Sequence, residues 1–155
     1  MRRKHRQEKT YEPDLIYKSP LMTRFINCLM KDGEKSVARK VFYKTMDIIK
    51  QQIKQDPLSI FDLAIKNVSP ELEVKSRRIG GANYQVPQAV PEYRKTTLAF
   101  RWIINIARAK KGKAMADRLA EELILASKNE GTAIKKKLDT HRMAEANRAF
   151  ARFRF

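Results

Sequence analysis

One stretch decides what the rest of this chain can be. Residues 71–90, ELEVKSRRIGGANYQVPQAV, are the only piece that does not read as helix. Leu72 and Val74 alternate with Glu73 and Lys75, and Tyr84 and Val86 stand two apart, which is the period of a strand. Between the halves, Gly80-Gly81-Ala82-Asn83 offers residues that accept positive φ, so the chain can reverse there as a β-hairpin. At about 3.3 Å per residue, each arm of roughly eight residues reaches about 25 Å. A lone two-stranded hairpin is marginal in water, so something must hold it.

Alternation sends Lys75 and Arg77 to one face and Arg78 to the other, so cations line both sides near the tip. Pro87 has no N–H to give a ladder, which argues against a larger sheet growing on that side. Such an arm suits the space between phosphates. An ordinary solvated hairpin with scattered cations is the other reading of this stretch alone.

The flanking sequence is helical. Ser19 and Pro20 suit an N-cap and the first helical position, and Leu21, Phe25 and Leu29 with Met22 and Met30 mark one face of a short helix ending at Asp32-Gly33. Ala38, Phe42, Ile49 and Ile53 fall in one sector of a second helix that stops before Asp56-Pro57. A third, over residues 57–68, buries Phe61, Ala64, Ile65 and Val68. After the hairpin, residues 91–110 form a fourth helix. There Arg94, Arg101 and Arg108, seven apart, stay on one face with Thr97 and Asn105 between them. Leu98, Ala99, Trp102, Ile103, Ile106 and Ala107 make the rest of that helix apolar, so it belongs in the core with one basic stripe left out.

A cationic turn, Lys110-Lys111-Gly112-Lys113, leads to a fifth helix with Met115, Leu119, Leu123 and Ala126 at helical spacing, ending near Gly131. Asp139 or Thr140 then caps a last helix whose seam is Met143, Ala146 and Phe150, while His141, Glu145, Arg148 and Arg152 share the opposite face. The expectation is a mainly α fold, a bundle of about six helices with a protruding two-stranded β-hairpin inserted after the third. Residues 1–12 carry Arg2, Arg3, Lys4, Arg6 and Lys9 without apolar period and read as a disordered basic arm; residues 13–155 read as one helical domain.

Charge names the partner class. Lys and Arg number 34 against 17 Asp and Glu, a net +17, and such self-repulsion calls for an anionic partner. Nucleic acid comes first and an anionic membrane surface second. No run of about 18 apolar residues suggests a membrane span, and the first twenty residues lack the apolar core of a secretory signal. The single Cys28 reads as a buried reduced thiol. Together these suit a cytosol or an organelle interior.

Catalysis finds little footing. Asp117, Glu121 and Glu122 have no histidine or cysteine neighbours and read as a solvated polar face, and His141 reads as the surface partner of Glu145. Five glycines supply no phosphate-cradling loop. No metal or cofactor is expected.

At VKSRRIGGANYQVP, RWIINIARAKKGKAMADRLAEEL and KKKLDTHRMAEANRAFARFRF the chain resembles the family of small-subunit ribosomal protein seven, in its bacterial or organellar form, and the likeness runs over about residues 11–155. That resemblance implies a structural protein that docks on a multi-helix junction in the 3′ major domain of small-subunit ribosomal RNA, so that the head can assemble. It also implies neighbouring ribosomal proteins as partners, and a hairpin tip beside the exit-site transfer RNA and the outgoing messenger RNA. The RNA-facing positions it implies are Arg2, Arg3, Lys4, Arg6 and Lys9 of the arm, Lys35, the hairpin cations Lys75, Arg77 and Arg78, and the stripe Arg94, Arg101 and Arg108. Lys110, Lys111, Lys113 and Met115 of the turn region, and Arg142, complete them. Gly80, Gly81, Tyr84 and Gln85 would lie nearest the transfer RNA. The rivals are a nucleoid-type binder of duplex DNA and an RNA-processing enzyme; the latter needs a base, a nucleophile or a carboxylate-held metal that the chain does not assemble.

Overall fold

Four of the six α-helices among the described residues each give one phenylalanine to a single cluster. The computed structural model describes residues 11–153. Helices α1 (Pro20–Leu29), α2 (Lys35–Ile53), α3 (Pro57–Val68) and α4 (Glu92–Ala109) supply Phe25, Phe42, Phe61 and Phe100. The Phe25 ring meets the other three at 5.6, 5.2 and 5.1 Å between centroids, edge-on to Phe61 and Phe100. Edge-on contact sets the positive rim of one ring against the negative face of the next. All four rings are fully buried, each contributing about 1.5–3 kcal/mol of transfer free energy.

Local signals set the helix ends. Asp56 caps α3 by accepting the N–H of Leu58 at 3.3 Å, with Pro57 at the first helical position. α2 stops where Lys54 turns left-handed at φ 56. Ser19 stands at the N-cap of α1 with an extended backbone, but its side chain makes no cap bond. α1 ends at Leu29, earlier than expected, and Asp32-Gly33, at φ 53 and 84, form the turn that follows.

α5 (Met115–Ser127) packs on α2, α3 and α4 through fully buried Leu119, Ala120, Leu123 and Ala126, so it shares the centre with α4. The Asn67 side chain donates to the last carbonyls of α5, those of Ala126 and Ser127, at 3.0 Å. α6 (Thr132–Ala146) corrects the expected start at Asp139 or Thr140, and a 3-10 segment, Arg148–Phe153, follows it. The Lys135-Lys136-Lys137 run lies inside α6, since lysine is a good helix former. The seam is also corrected: Ala133, Ile134 and Ala144 are buried, whereas Met143 and Ala146 are exposed. The chain changes to the tighter 3-10 winding beyond α6, so Phe150 leaves the line of Met143 and Ala146.

β1 (Leu72–Ile79) and β2 (Ala82–Ala89) form the hairpin after α3, paired without a break from Leu72 opposite Ala89 to Ile79 opposite Ala82. Gly80 and Gly81 form the two-residue turn at φ 55 and 90, the positive pair that a type I′ turn demands. Val90 N–H donates to the Glu71 carbonyl at 2.9 Å and closes the base. The sheet stays two-stranded, with Pro87 in β2.

Candidate nucleic-acid interface

The hairpin is held to the body by an acid. Residues opposite one another share a face, so Glu73, Lys75, Arg77, Tyr84, Val86 and Gln88 lie on one side. Near the base of that side Glu73 is 7% exposed. Its carboxylate accepts from Arg94 Nε at 2.9 and 3.0 Å and from Gln88 Nε2 at 2.7 Å, with Lys75 Nζ at 3.1 Å. Burial pushes its pKa up, but the hydrogen bonds from Arg94, Gln88 and Lys75 outweigh that and hold it below the usual carboxylate range. Val86 is buried beside this group, and the Tyr84 ring packs on Phe150 at 5.2 Å between centroids.

On the other face Arg78, Ser76, Asn83 and Gln85 are exposed, as is the Gly80-Gly81 tip. The two-sided distribution of cations is present, yet the sides differ: Arg78 is open, while Arg77 is half-buried opposite Tyr84. A second tie joins the hairpin base to α6. The Glu71 N–H donates to His141 Nε2 at 3.1 Å, which corrects the expected His141–Glu145 pairing; Glu145 instead lies 3.4 Å from Arg148. Burial first, and Lys137 second, lower the His141 pKa against an opposing pull from Glu71, so the ring is held neutral as an acceptor.

The α4 stripe runs from the hairpin base toward the cationic turn, about 21 Å over the fourteen helical steps from Arg94 to Arg108. Arg101 is exposed in the middle of it. Arg94 is engaged by Glu73, and Arg108, also exposed, donates to the Leu29 carbonyl at 3.0 Å. Arg24 of α1 joins the stripe, donating to Thr97 Oγ1 at 2.9 Å and to the Tyr93 carbonyl at 3.1 Å. Sequence spacing does not reveal this neighbour, because it depends on how α1 crosses α4. Cys28 is half-buried beside the stripe; burial raises its pKa, and Arg101 and Arg24 pull it back.

At the far end Arg108 and Met115, which flank the turn of Lys110, Lys111 and Lys113, approach the start of α2. Leu29, Lys31, Val37, Arg108 and Met115 line one shallow hollow between them. Lys35 is exposed at the first turn of α2, and Lys111 is exposed in the turn. Lys113 pairs with Glu121, and Arg118 donates to the Lys110 carbonyl.

Lys110 has an internal partner. Its Nζ lies 2.7 Å from Oε2 of Glu122, which is fully buried. This corrects the reading of Glu122 as part of a solvated face: its other oxygen accepts the N–H of Ala133 at 2.8 Å. The carboxylate thus serves the first turn of α6, where Gly131 provides no side-chain cap. Asp14 is a further buried acid that the sequence reading does not single out; it accepts from the N–H groups of Ile16 and Tyr17 and from Tyr43 Oη at 2.8 Å.

Arg142 is exposed on α6, as are Lys135 and Lys136, whereas Lys137 donates to the Asn67 carbonyl at 2.7 Å. Arg2, Arg3, Lys4, Arg6 and Lys9 lie outside the described residues. No helix among the described residues is long and apolar enough to cross a membrane.

Comparison with known proteins gives concordant matches. The family model described as ribosomal protein S7p/S5e matches residues 1–148. The small ribosomal subunit protein uS7 of Thermotoga neapolitana is 54% identical over 155 residues, covering 100% of both chains. Those of Magnetococcus marinus and Salinibacter ruber are 52% and 50% identical, covering 99% and 96% of each chain.

Proposed function

The chain belongs to the ribosomal protein S7p/S5e family, and from that membership we infer that it docks on a junction in the 3′ major domain of small-subunit ribosomal RNA. A protein of this family is a structural, non-enzymatic component of the small subunit, and binding of ribosomal RNA and a place in translation follow. The finer reading is a clamp. The hairpin, the Arg101 stripe and the Lys110–Lys113 turn are three cationic elements on one helical body. Each neutralises phosphates of a different RNA segment, so segments that repel one another are held together and the head can nucleate around them.

The observation that supports this reading is that exposed Arg101 and Arg108 lie on α4 between an outward arm at one end and a cationic turn at the other. Toward the tip of the hairpin, Gly80, Gly81, Gln85 and Arg78 are among the residues open to solvent, and these are the groups that would meet the exit-site transfer RNA and the messenger RNA path. Tyr84, packed on Phe150, would contribute from the side rather than as a free stacking ring. Exposed Leu138 and Met143 on α6 offer apolar surface to neighbouring ribosomal proteins.

The test is filter binding of the full chain to a transcript of the 3′ major domain against equal masses of unrelated structured RNA and duplex DNA, at fixed near-physiological salt. A preference of about a hundredfold, or about 2.7 kcal/mol, is expected. Equal binding to all three would leave charge alone acting and would overturn the junction reading.

A further inference from the structure

We propose that Tyr93 and Arg24 together hold one unpaired nucleotide of the bound RNA, the tyrosine ring stacking on its base and the guanidinium gripping its phosphate. The proposal rests on the reading of α4 as an RNA-facing helix. Tyr93 stands in the first turn of α4 and is 61% exposed, while Tyr11, Tyr43 and Trp102 are half-buried. Among the described residues its side chain has no hydrogen-bond or ring partner. At about 100° per residue Thr97 stands about 40° and Arg101 about 80° round the helix from it, so Tyr93 borders the cationic stripe.

Arg24 of α1 is fixed at this border. Its Nη2 donates to the Tyr93 carbonyl at 3.1 Å and to Thr97 Oγ1 at 2.9 Å, and its Cζ lies 5.8 Å from the ring centroids of both Tyr11 and Phe100. Two hydrogen bonds and two rings set the plane of the guanidinium. Its Nε and Nη1 have no acceptor among the described residues, so three N–H groups of a pre-set fork remain for phosphate oxygens. A junction leaves bases unpaired, and a flat aromatic ring takes the face of any of them. A neighbouring protein laid over the same patch would meet Arg24, Arg101 and Arg108, a set of cations better matched to phosphates. Because the ring is neutral, its share of the affinity does not vary with salt, whereas the share of Arg24 does.

The experiment measures affinity of the full chain for the 3′ major domain transcript at several salt concentrations. The proteins are wild type, Tyr93→Phe, Tyr93→Leu, Arg24→Gln, the Tyr93→Leu/Arg24→Gln double variant and Arg101→Ala. Tyr93→Leu should bind about tenfold more weakly at every salt concentration, the scale of one stacked base, and Tyr93→Phe within about twofold of wild type. Since Tyr93 is exposed, its variants should keep the urea midpoint. Arg24→Gln should lower the salt slope by about 1, and the double variant should lose less than the two singles combined, since both act on one nucleotide. Full affinity in Tyr93→Leu overturns the stack and leaves Tyr93 to a protein partner. A phenylalanine variant as weak as the leucine one assigns the effect to the hydroxyl and overturns it too. Additive losses in the double variant overturn the shared nucleotide. Arg101→Ala separates these failures from failure of the wider reading: weakened binding there keeps α4 as an RNA-facing helix, and unchanged binding removes that reading as well.

Discussion

Glu122 caps a helix it does not belong to: from α5 it accepts the N–H of Ala133 in the first turn of α6 at 2.8 Å. Its second oxygen faces Lys110 Nζ at 2.7 Å, so one buried carboxylate joins the end of α4, the middle of α5 and the start of α6. Removing it leaves an ammonium and a backbone donor without their acceptor. Glu122→Ala should cost about 2–4 kcal/mol, and Glu122→Gln less because the amide oxygen still accepts. Urea unfolding of the three proteins measures this. A loss under about 1 kcal/mol would show that water replaces the carboxylate.

Gly131 allows that carboxylate to reach. It sits at φ 92, and a Cβ there would lie 3.0 Å from Leu125 Cβ and 3.2 Å from Glu122 Oε1. Gly131→Ala should destabilise by about 1–3 kcal/mol, from backbone strain and displacement of Glu122 together. If the penalty comes partly from Glu122, Gly131→Ala in a Glu122→Ala background should cost measurably less.

Arg94 and Arg101 look equivalent in sequence and should separate in experiment. Arg101 is exposed, so Arg101→Ala should leave urea stability within about 0.5 kcal/mol and reduce the salt slope of RNA binding by about 1. Arg94→Ala strips Glu73 of its guanidinium and should cost about 1–2 kcal/mol, moderated by solvent at the half-exposed Arg94. The reverse pattern would reassign which arginine faces the RNA.

Acid should loosen the hairpin in two stages. His141 has its pKa lowered in the fold, so the unfolded chain binds the extra proton first. The stability from its neutral form is complete above about 6.5 and is lost as pH falls through the lower folded value, when the ring stops accepting from Glu71. Glu73, also lowered, contributes fully above about 4.3 and loses its contribution below that. The protection of the Glu71 amide, relative to the unfolded chain at the same pH, should therefore fall as pH drops below the ordinary histidine value, and the hairpin should detach only at more acid pH, below the ordinary carboxylate value. His141→Gln should flatten the first stage and leave the second.

The hairpin and the helix count are legible in the sequence because each follows from periods and glycines within a short window. Phe42 and Phe61 can be placed in a core from spacing alone. Glu73 and Glu122 cannot, because each is buried by a partner far along the chain or on another helix, and acidity by itself reads as solvent. One signal was available: at about 100° per residue Glu122 stands only about 40° from Ala126, at the edge of the arc that the buried apolar residues of α5 occupy. The start of α6 is hidden for a different reason. Its first buried residues, Ala133 and Ile134, precede a lysine run that looks like a loop unless Glu122 is known to cap the turn before it. In the interface, which cations are exposed follows from pattern; which are already engaged, as Arg94 and Lys110 are, follows only from the fold.

The unbroken ladder ending in a two-residue turn gives the arm a parity. Deleting one residue from each strand between the body and Arg78 would carry every more distal side chain to the opposite face, turning Arg78 inward and Arg77 outward. Deleting two from each would restore the faces and shorten the reach by about 7 Å. Because Glu71 and Val90 meet at the base, neither change alters the gap between α3 and α4. The arm can therefore vary in length among related chains without disturbing the phenylalanine cluster, provided the changes come in even steps.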